Sequence, residues 1–493
     1  MKAVLTRRCH RRICSASLAV LVGAGLAGGC AVGPEYRGPP RLPTVEGTYP
    51  APTGGVASTA AADRWWEALE DPALAQLIAK ALADNPDLAT AEARVQQSRA
   101  VARVAGAAFY PAVNAAADVS RDRLSRNGEN LALIPSVFTP PTTEFTDYRV
   151  GVDASWEIDL VGKTRREVEA AVARLGSSEA TRDEARAVVA AGVADAYIDY
   201  RESSLRLKPA RDAAAAAAET ARLMGLQQQA GVASSSDRER AEADAQSAAA
   251  GVPPLESAQQ SALYQLASLV DTPVADLRTE LESEAPLPTP PAAVPAGLPA
   301  DILRRRPDIL RAERELAAAT ADVGSTVADQ YTRLTLVGDA GWESVHPGTL
   351  TDAASRYWNL EPQLTLPLFA GGRLHAAVEA SEAARTAALQ SYRSTVLKAL
   401  ADAESAIVRY SSEQSRAQTL AAASAQLANA AGLEERRFAA GDASRIDALA
   451  AQRAADQARD QLLVSQALLV EDYVALSKSL GSGWQVADAK ANR

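Results

Sequence analysis

From Tyr148 to Leu160 the even positions are Tyr148, Val150, Val152, Ala154, Trp156, Ile158 and Leu160, and the odd ones are Arg149, Gly151, Asp153, Ser155, Glu157 and Asp159. A period of two sustained over about 13 residues predicts a strand with one apolar and one polar face, long enough to cross a membrane at a tilt. Leu360, Pro362, Leu364, Leu366 and Leu368 repeat the pattern against Asn359, Glu361, Gln363 and Thr365. Val113, Ala115, Ala117 and Val119 show it more weakly, as do Leu334, Leu336, Ala340 and Trp342. Two β-hairpins are therefore expected, over residues 107–160 and 331–369. Their outward loops, near residues 121–145 and 343–356, are polar and bear Pro or Gly.

Elsewhere the period is helical. Residues 163–229 and 373–439 are rich in Ala, Arg, Glu and Gln, and a continuous helix over either is on the order of 100 Å long at a rise of 1.5 Å per residue. Their alanines, including the run Ala213–Ala218, favour helix and let neighbouring helices approach closely. Pro209, Gly225 and Gly251-Val252-Pro253-Pro254 are the expected interruptions or kinks. Ahead of the first hairpin, Asp71-Pro72 reads as an N-cap with proline at the first helical position, and Leu74, Leu77, Ile78 and Leu82 share one face behind it. Asn85-Pro86 breaks and restarts that helix.

The pattern occurs twice. Asn85-Pro86-Asp87-Leu88 matches Arg306-Pro307-Asp308-Ile309, and Tyr110 matches Tyr331, at an offset of 221 residues. Later the offset is 210: Gly162-Lys163 matches Gly372-Arg373, Val168-Glu169-Ala170 matches Val378-Glu379-Ala380, and Gly231 to Asp237 matches Gly441 to Asp447. This gives a first repeat over residues 63–270, a Pro-rich linker over 271–299, a second repeat over 300–480 and a tail over 481–493. Each repeat holds helix, β-hairpin, long helix, tight turn and returning helix.

The start of the chain changes where this fold must live. Lys2, Arg7, Arg8, Arg11 and Arg12 precede an apolar stretch, Leu18–Leu26, that is too short to span a bilayer and reads as an export signal over residues 1–29. Leu26-Ala27-Gly28-Gly29-Cys30 resembles a lipobox, with Ala27 where a larger aliphatic is commoner, so Cys30 is expected to carry a covalent lipid. Residues 30–62, rich in Pro, Gly, Ala and Thr, read as an acylated tether. After residue 30 there is no uninterrupted apolar run of the ~20 residues a membrane helix needs. Any spanning part must then be a closed β-barrel, because lipid satisfies no backbone N–H or C=O.

Charge and chemistry narrow the function. Loss of residues 1–29 removes five positive and no negative charges, taking the formal net charge from −10 to −15 and arguing against nucleic acid as a partner. Cys9 and Cys14 go with the signal, which leaves Cys30 alone and excludes a disulfide framework or cysteine metal site within one chain. Only His346 and His375 remain, in unrelated surroundings, so neither a zinc site nor a hydrolytic triad is expected, nor any cofactor beyond the lipid. An enzyme is the least favoured class.

Several segments resemble the outer-membrane factor family, the TolC-like channels, and within it the lipidated, NodT-like branch that serves resistance-nodulation-division efflux pumps. They are Cys30-Ala31-Val32-Gly33-Pro34-Glu35-Tyr36, Trp65-Trp66, Asp71-Pro72-Ala73-Leu74 and Asn85-Pro86-Asp87-Leu88. The most specific is Gly297-Leu298-Pro299 running on to Arg304-Arg305-Arg306-Pro307-Asp308, followed by Pro367-Leu368-Phe369-Ala370-Gly371-Gly372-Arg373. Their order covers essentially the whole mature chain. The resemblance implies a mixed α and β membrane protein. It would be a homotrimer whose subunits each lend four strands to one twelve-stranded barrel, continued by a periplasmic cylinder of helices. It also implies residence in the outer membrane and two partners, a periplasmic adaptor and an inner-membrane pump. Four strands cannot close a barrel, so elementary physics also asks that subunits combine.

Several residues carry two readings. Gly231 and Gly441 suit left-handed helix C-caps, while Ser234 and Ser444 suit N-caps with Asp237 and Asp447 in capping-box position. By resemblance the same turns are the periplasmic tips, where Asp237 and Asp447 stand at aperture positions and an adaptor docks. A second acidic position common in the family is Ala450 here. Arg304, Arg305 and Arg306 read as a salt-bridged face rather than an anion site, His375 as a surface residue, and Trp65-Trp66 as packing rather than a carbohydrate platform. The expected function is a passive exit duct for drugs or other small molecules. Two alternatives stay open: the duct of a type I protein secretion system, and a lipid-anchored coiled-coil scaffold without a pore.

Overall fold

The alternating segments pair as one antiparallel sheet in the computed structural model, which describes residues 31–39, 56–57, 62–125, 143–283, 285–295 and 299–484. Strand β1 (Ala112–Arg123) pairs with β2 (Glu144–Ile158), β2 with β3 (Arg333–Ser344), and β3 with β4 (Arg356–Thr365). The order in the sheet is the order in the chain, so β1 and β4 are its edges. Each hairpin belongs to one repeat, and the β2–β3 ladder, from Tyr148↔Ser344 to Ile158↔Leu334, joins the two. The alternation is kept in register across all four strands: the even residues of β2 face the even residues of β3 and the odd residues of β1.

The helices form where their period and caps require. α1 (Pro72–Asp84) starts at Asp71, whose carboxylate accepts from the amides of Ala73 and Leu74, satisfying two of the orphan donors every helix start exposes. Asn85 then ends α1 and caps α2 (Pro86–Ala107) by accepting from the amides of Asp87 and Leu88. α3 (Lys163–Gln229) is unbroken through both Pro209 and Gly225. A proline inside a helix forfeits one hydrogen bond, yet the turns on either side carry the helix across it. Gly251 is a true break between α4 (Ser235–Ala250) and α5 (Val252–Leu269), with Pro253 in the first turn of the second. α6 (Val274–Glu280) and α7 (Pro299–Arg305) are short. α8 (Pro307–Ala328) repeats α2 at the offset of 221, and α9 (Arg373–Ala440) and α10 (Arg445–Ser479) form the second long hairpin.

Two compact units result. The first comprises Met1–Pro39, Gln97–Leu175 and Arg314–Gln390 and holds the sheet; the second comprises Pro40–Gln96, Gly176–Glu313 and Ser391–Arg493. In the second unit a continuous core gathers Leu74, Leu77 and Ile78 of α1, Val193 and Tyr197 of α3, Leu263 and Leu266 of α5, Val396 and Ile407 of α9 and Val470 of α10. Three of its buried tyrosines have their hydroxyls bonded, which lowers the cost of burying them: Tyr197 donates to Asp71 at 2.8 Å, Tyr410 to the Pro291 carbonyl at 2.7 Å, and Tyr473 to the Trp65 carbonyl at 2.9 Å. Trp65 and Trp66 are themselves buried in this core, edge to face with each other at 5.6 Å. Arg201, also buried, donates to Tyr197 and to the carbonyls of Leu281 and Ser283.

Candidate functional site

The sheet carries its chemistry on two unlike faces. On the even face of β2 and the odd face of β1, Val113, Val119, Val150 and Val152 are exposed, as are Trp358, Leu360 and Leu364 on β4. On the opposite face Arg149 pairs with Glu343 across the β2–β3 ladder at 2.9 Å, and Asn114 donates to Asp153 across β1–β2 at 2.9 Å. Tyr357 lies on that polar face under the Arg149 guanidinium, 5.4 Å from ring centre. Gly151 and Gly341 sit opposite one another beside it, and a Cβ on Gly341 would stand 2.3 Å from the Val150 carbonyl. Exposed valine, leucine and tryptophan on a whole sheet face have no counterpart in a protein folded for water alone. Among the described residues no helix is long and apolar enough to cross a membrane.

Below the strands, at the β2-to-α3 corner, the N-terminal segment is tied down. The Val32 amide donates to the Val161 carbonyl at 2.9 Å, and Arg166 donates back to the Val32 carbonyl at 3.3 Å. Gly33, at φ +86°, lies against Gly324, where a Cβ would come within 2.4 Å of the Gly324 Cα. Cys30 itself lies outside the described residues. The sequence gives no period or charge pattern for this clasp; its one signal is Gly33 inside the Val32-Gly33-Pro34 motif.

The two turns singled out by the repeat are built alike. Gly231 and Gly441 have φ of +75° and +83°, where glycine avoids the strain of a side chain. Behind them the Val232 amide reaches back to the Gln227 carbonyl and the Asp442 amide to the Arg437 carbonyl, both closing the preceding helix. Ser234 Oγ accepts from the Asp237 amide at 3.1 Å while Asp237 accepts from the Ser234 amide at 3.1 Å. Ser444 and Asp447 make the same reciprocal pair at 3.2 Å each way. Both are capping boxes. The serine hydroxyl, with the backbone amide, holds each exposed carboxyl below the usual carboxylate range. The second turn is braced further: Arg445 pairs with Glu435 at 2.9 Å and stacks over Phe438 at 5.2 Å.

Arg305, Arg306 and His375 fall as the plainer readings had them. Arg305 pairs with Asp63, and Arg306 with Asp308 and Asp402 while donating to the Ser479 carbonyl, so these arginines tie elements together. His375 is exposed and within 3.3 Å of Glu379. One group escaped the sequence reading. Asp195, Asp199 and Glu202 on α3 approach Glu471 and Asp472 on α10, and burial, with repulsion from Asp199, Asp195, Glu202 and Asp472, pushes the Glu471 carboxyl up to about 7. Burial likewise raises Asp195 to about 6, against the pull of Lys478. Helices more than two hundred residues apart in the chain bring these acids together, which no local spacing could reveal. Among the described residues no group of His, Cys, Asp and Glu could hold a metal ion.

Residues 77–271 and 298–482 match the family described as outer membrane efflux protein. The pyoverdine export outer membrane protein OpmQ of Pseudomonas putida is 35% identical over 439 residues, covering 89% of this chain and 92% of that protein. The antibiotic efflux pump outer membrane protein ArpC of Pseudomonas putida is 31% identical over 487 residues, 97% of each chain. Among solved structures, the outer-membrane channel OprN matches with a TM-score of 0.79 at 31% identity, over 92% of this chain and 100% of that one.

Proposed function

Because the chain belongs to the outer membrane efflux protein family, whose members are outer-membrane channels of efflux pumps and not enzymes, we propose that three copies of it close one barrel. Through that barrel small molecules leave the cell. The observation that carries this reading is the four-stranded sheet with one exposed apolar face, one polar face and two unpaired edges. In lipid such edges are not tolerated, and three copies of four strands supply a wall wide enough for an aqueous passage. Energy and selection of cargo then reside in an inner-membrane pump reached through a periplasmic adaptor. The cargoes in the relatives' names, pyoverdine and antibiotics, favour small molecules over proteins. Deleting the gene and measuring susceptibility to a panel of antibiotics, solvents and chelators tests this. Heightened susceptibility, restored by the intact gene, supports efflux; an unchanged panel combined with failure to recover any adaptor in pull-downs contradicts it.

Two finer assignments belong to the same proposal. Cys30 carries the lipid, supported by its lipobox-like setting; the residues that follow it, Ala31 and Val32, pack on Gly162 and bond to Val161 at the β2-to-α3 corner. Labelled palmitate should enter the mature protein and disappear in Cys30→Ser; unchanged incorporation rules the site out. Asp447, with Asp237 beside it, rings the periplasmic aperture at the turns marked by Gly231, Ser234, Gly441 and Ser444. Carboxylates repeated about a narrow mouth attract cations, so Asp447→Ala should weaken cation selectivity in planar bilayers, more so with Asp237→Ala. Selectivity equal to the parent's would leave these residues as caps alone.

A further inference from the structure

The charges of the sheet are sorted by face and by end. Every strand joins a helix at one end and a loop at the other; on the loop side β1 ends at Arg123, β2 begins at Glu144, β3 ends at Ser344 and β4 begins at Arg356. The apolar face is made of the odd residues of β1 and the even residues of β2, β3 and β4. From Val113 to Val119, Thr146 to Ile158, Leu334 to Ser344 and Trp358 to Leu364 that face carries no charge. Its charges are Arg121 and Arg123 on β1, Glu144 on β2 and Arg356 on β4, all at the loop end.

This rim is positive and largely unpaired. Arg121 and Arg123 are exposed and share the single Glu144 carboxylate at 3.9 and 3.4 Å, both longer than a charge-assisted hydrogen bond. Arg356 is exposed and pairs with none of the described acids. Three guanidinium groups against one carboxylate stand out in a chain whose formal net charge is −10. At the same end the polar face is acidic, with Asp118, Asp122, Asp147 and Glu343 against Arg149. Cations are thus gathered on the side that would meet lipid. An arginine on the lipid face is costly at the bilayer midplane and tolerated near an interface.

Aromatic rings mark where that interface lies. Trp342 is the ladder partner of Arg356, and Trp358 is the next residue on the same face; both tryptophans are exposed. Tyr148 pairs with Ser344 on that face. Tryptophan and tyrosine settle at headgroup level. Arg356 lies two residues nearer the loop than Trp358, and Arg121 two nearer than Val119, a step of about 7 Å along a strand. The guanidinium groups then stand at or beyond the ring level, where a lipid presents its phosphates.

We infer that the loop-end rim binds the phosphates of an outer-leaflet glycolipid whose sugar headgroup carries more than one of them, through Arg121, Arg123 and Arg356. The inference rests on the barrel proposed above and adds what its outer rim holds. The loop end points away from the helices, hence into the leaflet opposite the periplasm, and phosphorylated glycolipid is the anionic lipid of that leaflet. A guanidinium fork matches two phosphate oxygens at once. Arg121 and Arg123, two residues apart on one face, can hold neighbouring phosphates of one headgroup, which a glycerophospholipid with a single phosphate does not supply. Their stems meanwhile lie along the apolar face, as long cationic side chains do at a membrane surface.

Native mass spectrometry of the full-length protein in detergent tests this, with bisphosphorylated lipid A, dephosphorylated lipid A and phosphatidylglycerol supplied in turn. The parent should retain the bisphosphorylated lipid at least about tenfold more tightly than either of the others, and less so as salt is raised. Arg121→Gln, Arg123→Gln and Arg356→Gln combined should bring the three lipids to within about twofold of one another, while the three lysine replacements should keep an intermediate preference. Equal retention of the dephosphorylated lipid by the parent, or an unchanged preference in the glutamine variant, overturns the inference. Equally tight phosphatidylglycerol also overturns it, since any anionic lipid would then suffice. Insertion of the parent into phosphatidylcholine vesicles free of glycolipid separates this from the barrel. Insertion without glycolipid preference removes the rim site and leaves the barrel standing, whereas failure to insert brings down both.

Discussion

Leu266 and Leu364 are the same side chain in opposite situations. Leu266 sits on α5 with none of its surface exposed, packed among α1, α3, α9 and α10, while Leu364 on β4 is 70% exposed. The helical unit buries its apolar residues against one another and pairs buried polar side chains such as Tyr197, Arg201 and Tyr410, as a water-soluble core does. In the sheet unit many residues of the apolar face, among them Val113, Val152, Trp358 and Leu364, are exposed. Water is thus the solvent for which the helical unit is built, whereas the sheet is built for a medium in which exposed leucine is stable and an open strand edge is not. The two units differ in what completes them.

The comparison breaks or sharpens most at those two leucines. Leu266→Ala should lower the stability of the folded protein by about 2–5 kcal/mol, the range for a buried leucine that leaves a cavity, read by chemical denaturation. Leu364→Ala should leave denaturation of the helical unit unchanged. Comparable losses at both sites would mean that the sheet face packs against protein after all.

A smaller effect concerns the acids between α3 and α10. Glu471 is raised in the folded state from its ordinary 4.5 to about 7, so the folded protein binds more protons than the unfolded chain between those values. Its contribution to stability is therefore full below about pH 4.5 and is lost as pH rises through about 7. Relative to the parent, Glu471→Gln should raise the melting temperature at pH 8, with the advantage fading by pH 5. A difference independent of pH would show that neither burial nor the neighbouring acids raise the Glu471 carboxyl. Smallest is the effect at the two Gly-Ser-Asp turns, where Asp447→Ala and Asp237→Ala each remove one capping box. Each should cost only a slight fall in melting temperature, similar for the two because their geometry is the same; a large fall at either would mean that the turn bears more than its cap.

Sequence periodicity reached most of the fold, because a strand with two solvents and a helix of 67 residues both write their period along the chain. Misses occurred where the cause is not local. The alternation through Leu368 overran β4, since a strand persists only where a partner pairs with it. Pro209, read as an interruption or a kink, does not interrupt its helix, since the turns on both sides hold it. Arg201, the Gly33–Gly324 contact and the acids around Glu471 draw on residues distant in the chain, and no spacing announces them. At Gly231–Asp237 and Gly441–Asp447 the reverse holds: Gly, Ser and Asp at fixed offsets specified the capping boxes in advance, because a capping box is contained within a few consecutive residues.

The most direct measurement of the central claim is a cysteine accessibility scan across the sheet in cells or reconstituted membranes. Cysteines at Val150, Val152 and Leu364 should react with lipid-soluble reagents and resist charged aqueous ones, while those at Asp153, Ser155 and Gln363 should do the reverse. Alternation of that sense along both β2 and β4 is what a barrel wall with lipid outside and water inside requires. Equal labelling of the two sets by the aqueous reagent would contradict it, placing the sheet in water and removing the channel from the account.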